Sequence, residues 1–179
     1  LTWKAPMTIR LTATTPVRCR YDSPLGPMTL AATDQGLAGV WFDGQKHMPD
    51  TLGWPEQPEH PVLQQAQREL AQYFAGQRLA FELPLDLNQG TLFQQQVWRG
   101  LLDIPAGQTM AYGELGKRIG RAAAVRAVGA AVGRNPISII VPCHRVLGAN
   151  GSLTGYAGGL ERKVALLQLE NNRQQTITA

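Results

Sequence analysis

Cysteine and histidine are scarce in this chain, two and three residues respectively in 179. So few cysteines exclude a disulfide-built scaffold and favour a reducing, cytoplasmic setting, so pairing of Cys19 with Cys143 is not expected. The histidines stand apart at positions 47, 60 and 144, no Cys/His cluster has zinc spacing, and no metal is expected. Long apolar runs are missing as well. None approaches the roughly 20 residues that a membrane-spanning helix requires, so no membrane association is expected. The opening stretch LTWKAPMTIRLTATTP has no apolar centre of a secretory signal, and residues 1–16 read as a loosely ordered arm. Internal repeats and low-complexity tracts are absent, which excludes solenoids and long disordered tails.

Acidic residues are also lacking, but only in the second half. Residues 90–179 hold 10 Lys/Arg against 4 Asp/Glu, a balance of +6, whereas residues 1–89 hold 7 against 9, a balance of −2. A polyanion would therefore dock on the C-terminal half. Alone the signal is weak, because most basic surfaces are merely solvated.

What is present is an ordinary globular composition, 44% hydrophobic and 17% charged, long enough for one domain or two small ones. VRCRYDSPLGPMTLAATDQGLAGVWFDG reads as three strands broken at SPLGP and DQG. Val17, Cys19 and Tyr21 share one face, which makes Cys19 a half-buried packing residue. A Pro-rich crossing follows, and then VLQQAQRELAQYFAG, whose Val62, Ala66, Leu70 and Phe74 recur at helical spacing up to a stop at Gly76. LAFELPLDL alternates like a fourth strand, which closes an α/β unit over residues 17–88.

Residues 89–179 read differently. Thr91 is a plausible N-cap for a helix with the stripe Phe93, Val97, Trp98, Leu101 and Leu102, ending at Pro105–Gly107. TMAYGELGKRIG is a short helix closed by Gly120, and AAAVRAVGAAVG is a second one, together outlining a helix-turn-helix. Between 122 and 133 that second helix is almost all Ala, Val and Gly, with Arg126 its one long polar side chain. A helix that reads base edges in the major groove presents several polar groups. This smooth face, with Ala124, Ala127 and Gly129 around Arg126, suits close approach to a minor groove without sequence preference. Burial of a small-residue helix, with Arg126 reaching out to solvent, accounts for the pattern equally well.

The strongest chemistry sits in PCHRVLGANG, residues 142–151, after the β-branched run ISIIV that reads as a buried strand ended by Pro142. A free thiol is mostly protonated at neutral pH, so a nucleophilic Cys143 needs a base or a positive potential. His144 is adjacent, Arg145 follows, and Glu170 on the helix GLERKVALLQLE could orient the imidazole. Chain neighbours rarely form a direct side-chain hydrogen bond, but one bridging water between His144 and Cys143 would solve the geometry. For an arbitrary Cys-His pair, a structural thiol beside a surface histidine is the commoner case.

FQQQVW, IPAGQTMAYGELG, RAVGAAVGRNPISIIVPCHRV and GSLTGYAGGLERKVALLQLE, in that order, resemble the O6-alkylguanine-DNA alkyltransferases, and DSPLGPMTLAATDQGL resembles that family's opening hairpin. The resemblance covers nearly the whole chain, and NP…VPCHRV is its most specific part. It implies an α/β fold class: an N-terminal ribonuclease-H-like α/β domain followed by a C-terminal helical, winged-helix-like domain with a helix-turn-helix. By position it makes Cys143 the alkyl acceptor, His144 the group that deprotonates it through water, and Glu170 the acid completing the relay. Asn135 would organise the turn beside the site. Tyr112 would help to turn out the nucleotide and protonate the departing guanine, and Arg126 would fill the gap left in the duplex. Val146 and Tyr156 fall on guanine-pocket positions. Ala157 stands where some members carry a serine able to bond the base. Cys19 and the scattered histidines do not reproduce the zinc ligands found in some members.

The activity implied is stoichiometric, irreversible transfer of an alkyl group from O6-alkylguanine, and by extension O4-alkylthymine, to the protein's own cysteine after base flipping. No cofactor is implied, since the lesion donates the group. The partner implied is double-stranded DNA, bound by a monomer, with cooperative loading left open. Two other readings stand beside it: a non-transferring lesion-binding relative, which would lack the acceptor cysteine, and a cysteine hydrolase built on Cys143, His144 and Glu170.

Overall fold

The computed structural model describes residues 15–178, with side chains to residue 172, so the arm expected over residues 1–16 lies outside the described residues except at 15 and 16. Three strands, β1 (Val17–Ser23), β2 (Gly26–Thr33) and β3 (Gly36–Phe42), form an antiparallel meander in sequence order, as the turn residues predict. The first turn is tied by Ser23, whose hydroxyl donates to the Gly26 carbonyl (2.7 Å) and accepts from the Leu25 amide (3.1 Å). At the second, Gly36 has φ +144° and passes so close to Pro84 that a Cβ would lie 2.5 Å from its carbonyl oxygen. Only glycine fits there.

Cys19 is buried outright rather than half-buried. It sits opposite Leu30, beneath helix α1 (Pro61–Phe74), where Gln67 Nε2 reaches its sulfur at 3.4 Å. Burial pushes its thiol up to about 11, in keeping with a packing role. It is not paired with Cys143.

The buried stripe of α1 runs through Leu63, Ala66, Leu70 and Tyr73, with Val62 and Phe74 at its edge, one step round from the stripe that apolarity alone selects. Tyr73 displaces Phe74 from the core because its hydroxyl finds a buried carboxylate to bond. LAFELPLDL is not a fourth strand. It makes a single bridge to β3, with Leu37 N–H on the Pro84 carbonyl and Asp86 N–H on the Leu37 carbonyl (both 2.8 Å). Pro84 has no N–H to extend that ladder.

Helix α2 (Leu92–Leu101) begins with the Thr91 cap, which proves to be a reciprocal capping box with Gln94. Leu102, expected in its stripe, is 42% exposed, whereas Ile104 beyond the helix is buried. Strand β4 (Met110–Ala111), helix α3 (Tyr112–Arg118) and helix α4 (Val125–Gly133) follow. Gly120, at φ +74°, ends the α3 segment, and α3 and α4 pack on each other and on α2 as the helix-turn-helix outline requires. The α4 helix starts later than the alanine run suggests, since Ala122–Ala124 form a turn with the Ala124 amide on the Arg121 carbonyl. The Trp98 indole N–H donates to the Ala131 carbonyl (2.8 Å) and locks α2 to α4.

ISIIV is buried but is not a strand. After one bridge from Ile137 to Val40 it folds into consecutive turns, with Ile139 at φ +74°. A β-branched residue there is strained. Asn135 holds it, accepting from the Ile137 amide (3.0 Å) and donating to the Val141 carbonyl (2.7 Å). The chain then makes a 3₁₀ turn, Cys143–Arg145, runs into β5 (Val146–Leu147) parallel to β4, and ends in helix α5 (Leu160–Thr178). One hydrophobic core runs from Leu30 and Leu70 through Trp98 and Val128 to Val141 and Leu166. Among the described residues no helix is long and apolar enough to cross a membrane.

Candidate active site

Cys143 opens the 3₁₀ turn and lines a cavity of about 250 Å³ together with Tyr112, Gly129, Val132, Gly133, Tyr156 and Ala157. The residue is only 6% exposed, so the cavity is its approach from solvent. Lys46 and His47, from the loop after β3, complete the cavity rim, and the Lys46 amide donates to the Ala157 carbonyl (3.1 Å).

His144, next in the turn, is not part of that lining. It is completely buried, and its Nε2 lies 2.7 Å from Glu170 Oε1 on α5. Glu170 is an anion, so Nε2 carries the proton and Nδ1 is left as an acceptor. Nδ1 is buried and has no protein partner among the described residues. The histidine is therefore not the surface residue that a random Cys-His pair would give.

Glu170 is crowded with donors. Oε1 also accepts from Tyr73 OH and Arg145 Nη2 (both 2.8 Å), and Oε2 accepts from Arg145 Nε (3.0 Å). Burial alone would raise its pKa, but bonds from His144 and Arg145 outweigh that and hold it at about 2. Arg145 is fixed further by the Ile104 carbonyl. The Lys163 ammonium, also fully buried, donates to the carbonyls of Val146 (2.6 Å), Thr154 (2.9 Å) and Gly155 (3.2 Å), and braces the loop 153–159 that walls the cavity.

The resting charge state follows. Burial raises the Cys143 pKa, with Asn135 and the Lys163 charge pulling the other way. Burial lowers that of His144, opposed by Glu170. Thiol and imidazole rest neutral together. An ion pair of thiolate and imidazolium would find its counter-charges in Lys163 and Glu170. Tyr112 is held protonated, mainly by partial burial, with Thr154 favouring and Cys143 disfavouring its ionisation, so it faces the cavity as a proton donor. The Tyr156 hydroxyl is buried beside Ser138 without a well-formed hydrogen bond.

Most of the residues singled out in the sequence thus meet at one place: Cys143, His144, Glu170, Asn135, Tyr112, Tyr156 and Ala157. Val146 does not join them. It lines no part of the cavity, because its side chain is fully buried in the core and its carbonyl is taken by Lys163. The α4 helix is one-sided, with Val128, Ala131 and Val132 buried and Arg126, Ala127 and Ala130 exposed; Gly129 sits at the cavity edge and Ala124 is half-buried at the helix start. The fully buried helix is thereby excluded. Lys163, Tyr73 and the rim residues Lys46 and His47 were not singled out. Only Lys163 left a trace, seven residues before Glu170 and hence on the same face of α5.

Residues 18–87 match the family described as 6-O-methylguanine DNA methyltransferase, ribonuclease-like domain, and residues 92–172 match its DNA binding domain. The methylated-DNA–protein-cysteine methyltransferase of Mycobacterium leprae is 48% identical over 161 residues, 89% of this chain and 96% of its own. The protein of that name from Methanosarcina acetivorans is 49% identical over 153 residues, 85% of this chain and 96% of its own. The crystal structure of Mycobacterium tuberculosis OGT in complex with DNA superposes with a TM-score of 0.81 at 48% identity, covering 88% of this chain and 94% of that one.

Proposed function

The chain belongs to the 6-O-methylguanine DNA methyltransferase family, and from that premise we propose that it binds DNA and repairs it by direct reversal, with Cys143 taking the alkyl group from O6-alkylguanine. The observation that carries the assignment to Cys143 is the side chain's placement: it lines a nucleobase-sized cavity while its neighbour His144 is bonded to a buried carboxylate. Residues 17–88 form the ribonuclease-like unit and residues 89–179 the unit that holds DNA and the acceptor.

In this reading the flipped purine enters the cavity beneath the loop 153–159. One water links Cys143 Sγ to His144 Nδ1, and the thiol proton passes to the imidazole. The thiolate attacks the alkyl carbon in line; the S–C bond forms as the C–O6 bond breaks, and the departing guanine takes a proton from Tyr112. The thioether has no good leaving group, so the thiol is not regenerated and each molecule acts once. Ala157 offers no side-chain hydrogen bond to the base, which leaves recognition to backbone atoms, Tyr112 and Tyr156. The same pocket would accept O4-alkylthymine.

The exposed Arg126, Ala127 and Ala130 face supports docking in the minor groove without sequence preference, since it is smooth, basic and offers few groups that read base edges. One exposed arginine on that face suits filling the space that the flipped base vacates. The protein binds DNA as a monomer.

Intact-mass analysis after incubation with O6-methylguanine DNA tests the reading. One methyl adduct per chain, mapped to Cys143, is expected, with no further turnover. Unmodified protein holding the lesion would instead indicate a non-transferring binder. Arg126→Ala should slow repair in duplexes by about 10- to 100-fold, the equivalent of a large part of the few kcal/mol that base flipping costs. Reaction with free O6-benzylguanine should barely change. Equal losses on both substrates would remove Arg126 from the flipping step.

A further inference from the structure

Tyr73 belongs to the N-terminal unit, yet its hydroxyl donates to Glu170 Oε1 at 2.8 Å across 97 residues of chain, and both side chains are buried. We infer that Tyr73 is a positioning residue of the transfer reaction, through which the ribonuclease-like unit sets the orientation and basicity of the carboxylate behind His144. The inference rests on the reading of Cys143, His144 and Glu170 as the proton relay.

Three donors converge on Oε1: Tyr73 from α1 and His144 and Arg145 from the 3₁₀ turn. The tyrosine is the one donor of the three supplied from outside the C-terminal unit. The other ionisable groups around the relay are Lys163 on α5, Cys143 itself and Tyr156. None of these is bonded to Glu170. Burial and the neighbouring carboxylate keep Tyr73 protonated, so it always donates. Hydrogen bonds to one oxygen compete: density given to the phenol is not available to the imidazole proton. Tyr73 therefore weakens the hold of Glu170 on an imidazolium and keeps His144 neutral, free to accept the thiol proton.

Tyr73→Phe removes only the oxygen and keeps the ring contacts with Phe74 and Phe81. With that bond gone, Glu170 favours the charged imidazole more, so the pKa of His144 rises. Reaction needs the neutral imidazole, hence the acid limb of the rate against pH with free O6-benzylguanine should move to higher pH, by about half to one unit. On the acid limb itself transfer should slow about three- to tenfold, while above it the two proteins should converge. Phe81→Leu loosens the same aromatic cluster without touching Glu170 and should leave the limb in place. A limb unmoved, or moved to lower pH, in a folded Tyr73→Phe protein overturns the inference. So does an equal shift in Phe81→Leu, which would trace the effect to packing. Glu170→Gln separates the two levels: if it reacts at the wild-type rate, the relay itself is wrong, whereas a crippled Glu170→Gln beside a wild-type pH profile for Tyr73→Phe removes Tyr73 alone.

Discussion

Cys143→Ser should reduce alkyl transfer below detection while affinity for O6-methylguanine duplex DNA stays close to that of the unaltered protein. The two side chains nearly match in size, so the cavity formed with Tyr112, Val132, Tyr156 and Ala157 keeps its shape. The difference lies in acidity and nucleophilicity. A thiol ionises near pH 8.5 in water, and in the proposed relay even the buried Cys143, with its pKa raised, gives its proton to the imidazole because Lys163 and Glu170 stabilise the ion pair. An alcohol lies many units higher, beyond the reach of His144. Removing an activated nucleophile costs about 10³-fold or more in rate, which in a single-turnover reaction reads as no adduct over hours. The measurements are intact mass for transfer and fluorescence anisotropy for binding. An adduct that persisted would place the acceptor elsewhere. Cys19 is a poor candidate, lying under α1 with its pKa near 11 and no part in the cavity. Lost binding, by contrast, would mean that the sulfur contributes to recognition and not only to chemistry.

Part of this molecule was legible before any coordinates. The β1–β3 meander follows from local alternation and turn residues, and the α2 start from a capping box confined to four positions. Such signals are local, so sequence carries them. ISIIV misled because a β-branched run favours a strand by local preference, whereas Asn135 supplies its backbone with bonds that curl it into a buried turn. LAFELPLDL failed in the same way, its alternation being real but its pairing cut to one bridge at Pro84. At the site, Cys143, His144 and Glu170 could be named from chain chemistry and resemblance. Tyr73 and Lys163 could not, because their roles arise where α1, α5 and the 153–159 loop meet. Nothing in YFAG marks a tyrosine that will bond a carboxylate 97 residues away. Nor does sequence show that Val146 is buried in the core with its carbonyl bonded to Lys163.

Glu170→Gln should produce the second large effect, on rate and stability together. An amide keeps the shape but cannot stay anionic, and its NH₂ would face donors from Tyr73, His144 and Arg145. Arg145 would then be a buried cation left chiefly with the Ile104 carbonyl, and breaking such a pair costs roughly 3–5 kcal/mol. Without the carboxylate the imidazolium formed during transfer loses its counter-charge, and the rate should fall about 10²- to 10⁴-fold. The stability loss carries its own pH signature. The folded pKa of Glu170, about 2, lies below its ordinary value of 4.5. Its contribution is therefore complete above the unfolded value and disappears as pH falls from 4.5 towards 2; a gap of that size corresponds to on the order of 3 kcal/mol. Urea unfolding midpoints of the two proteins should lie far apart at pH 7 and draw together as the solution is acidified through that window. A gap that stayed constant down to pH 2.5 would mean that the carboxylate is not the anion on which the buried arginine and histidine are built.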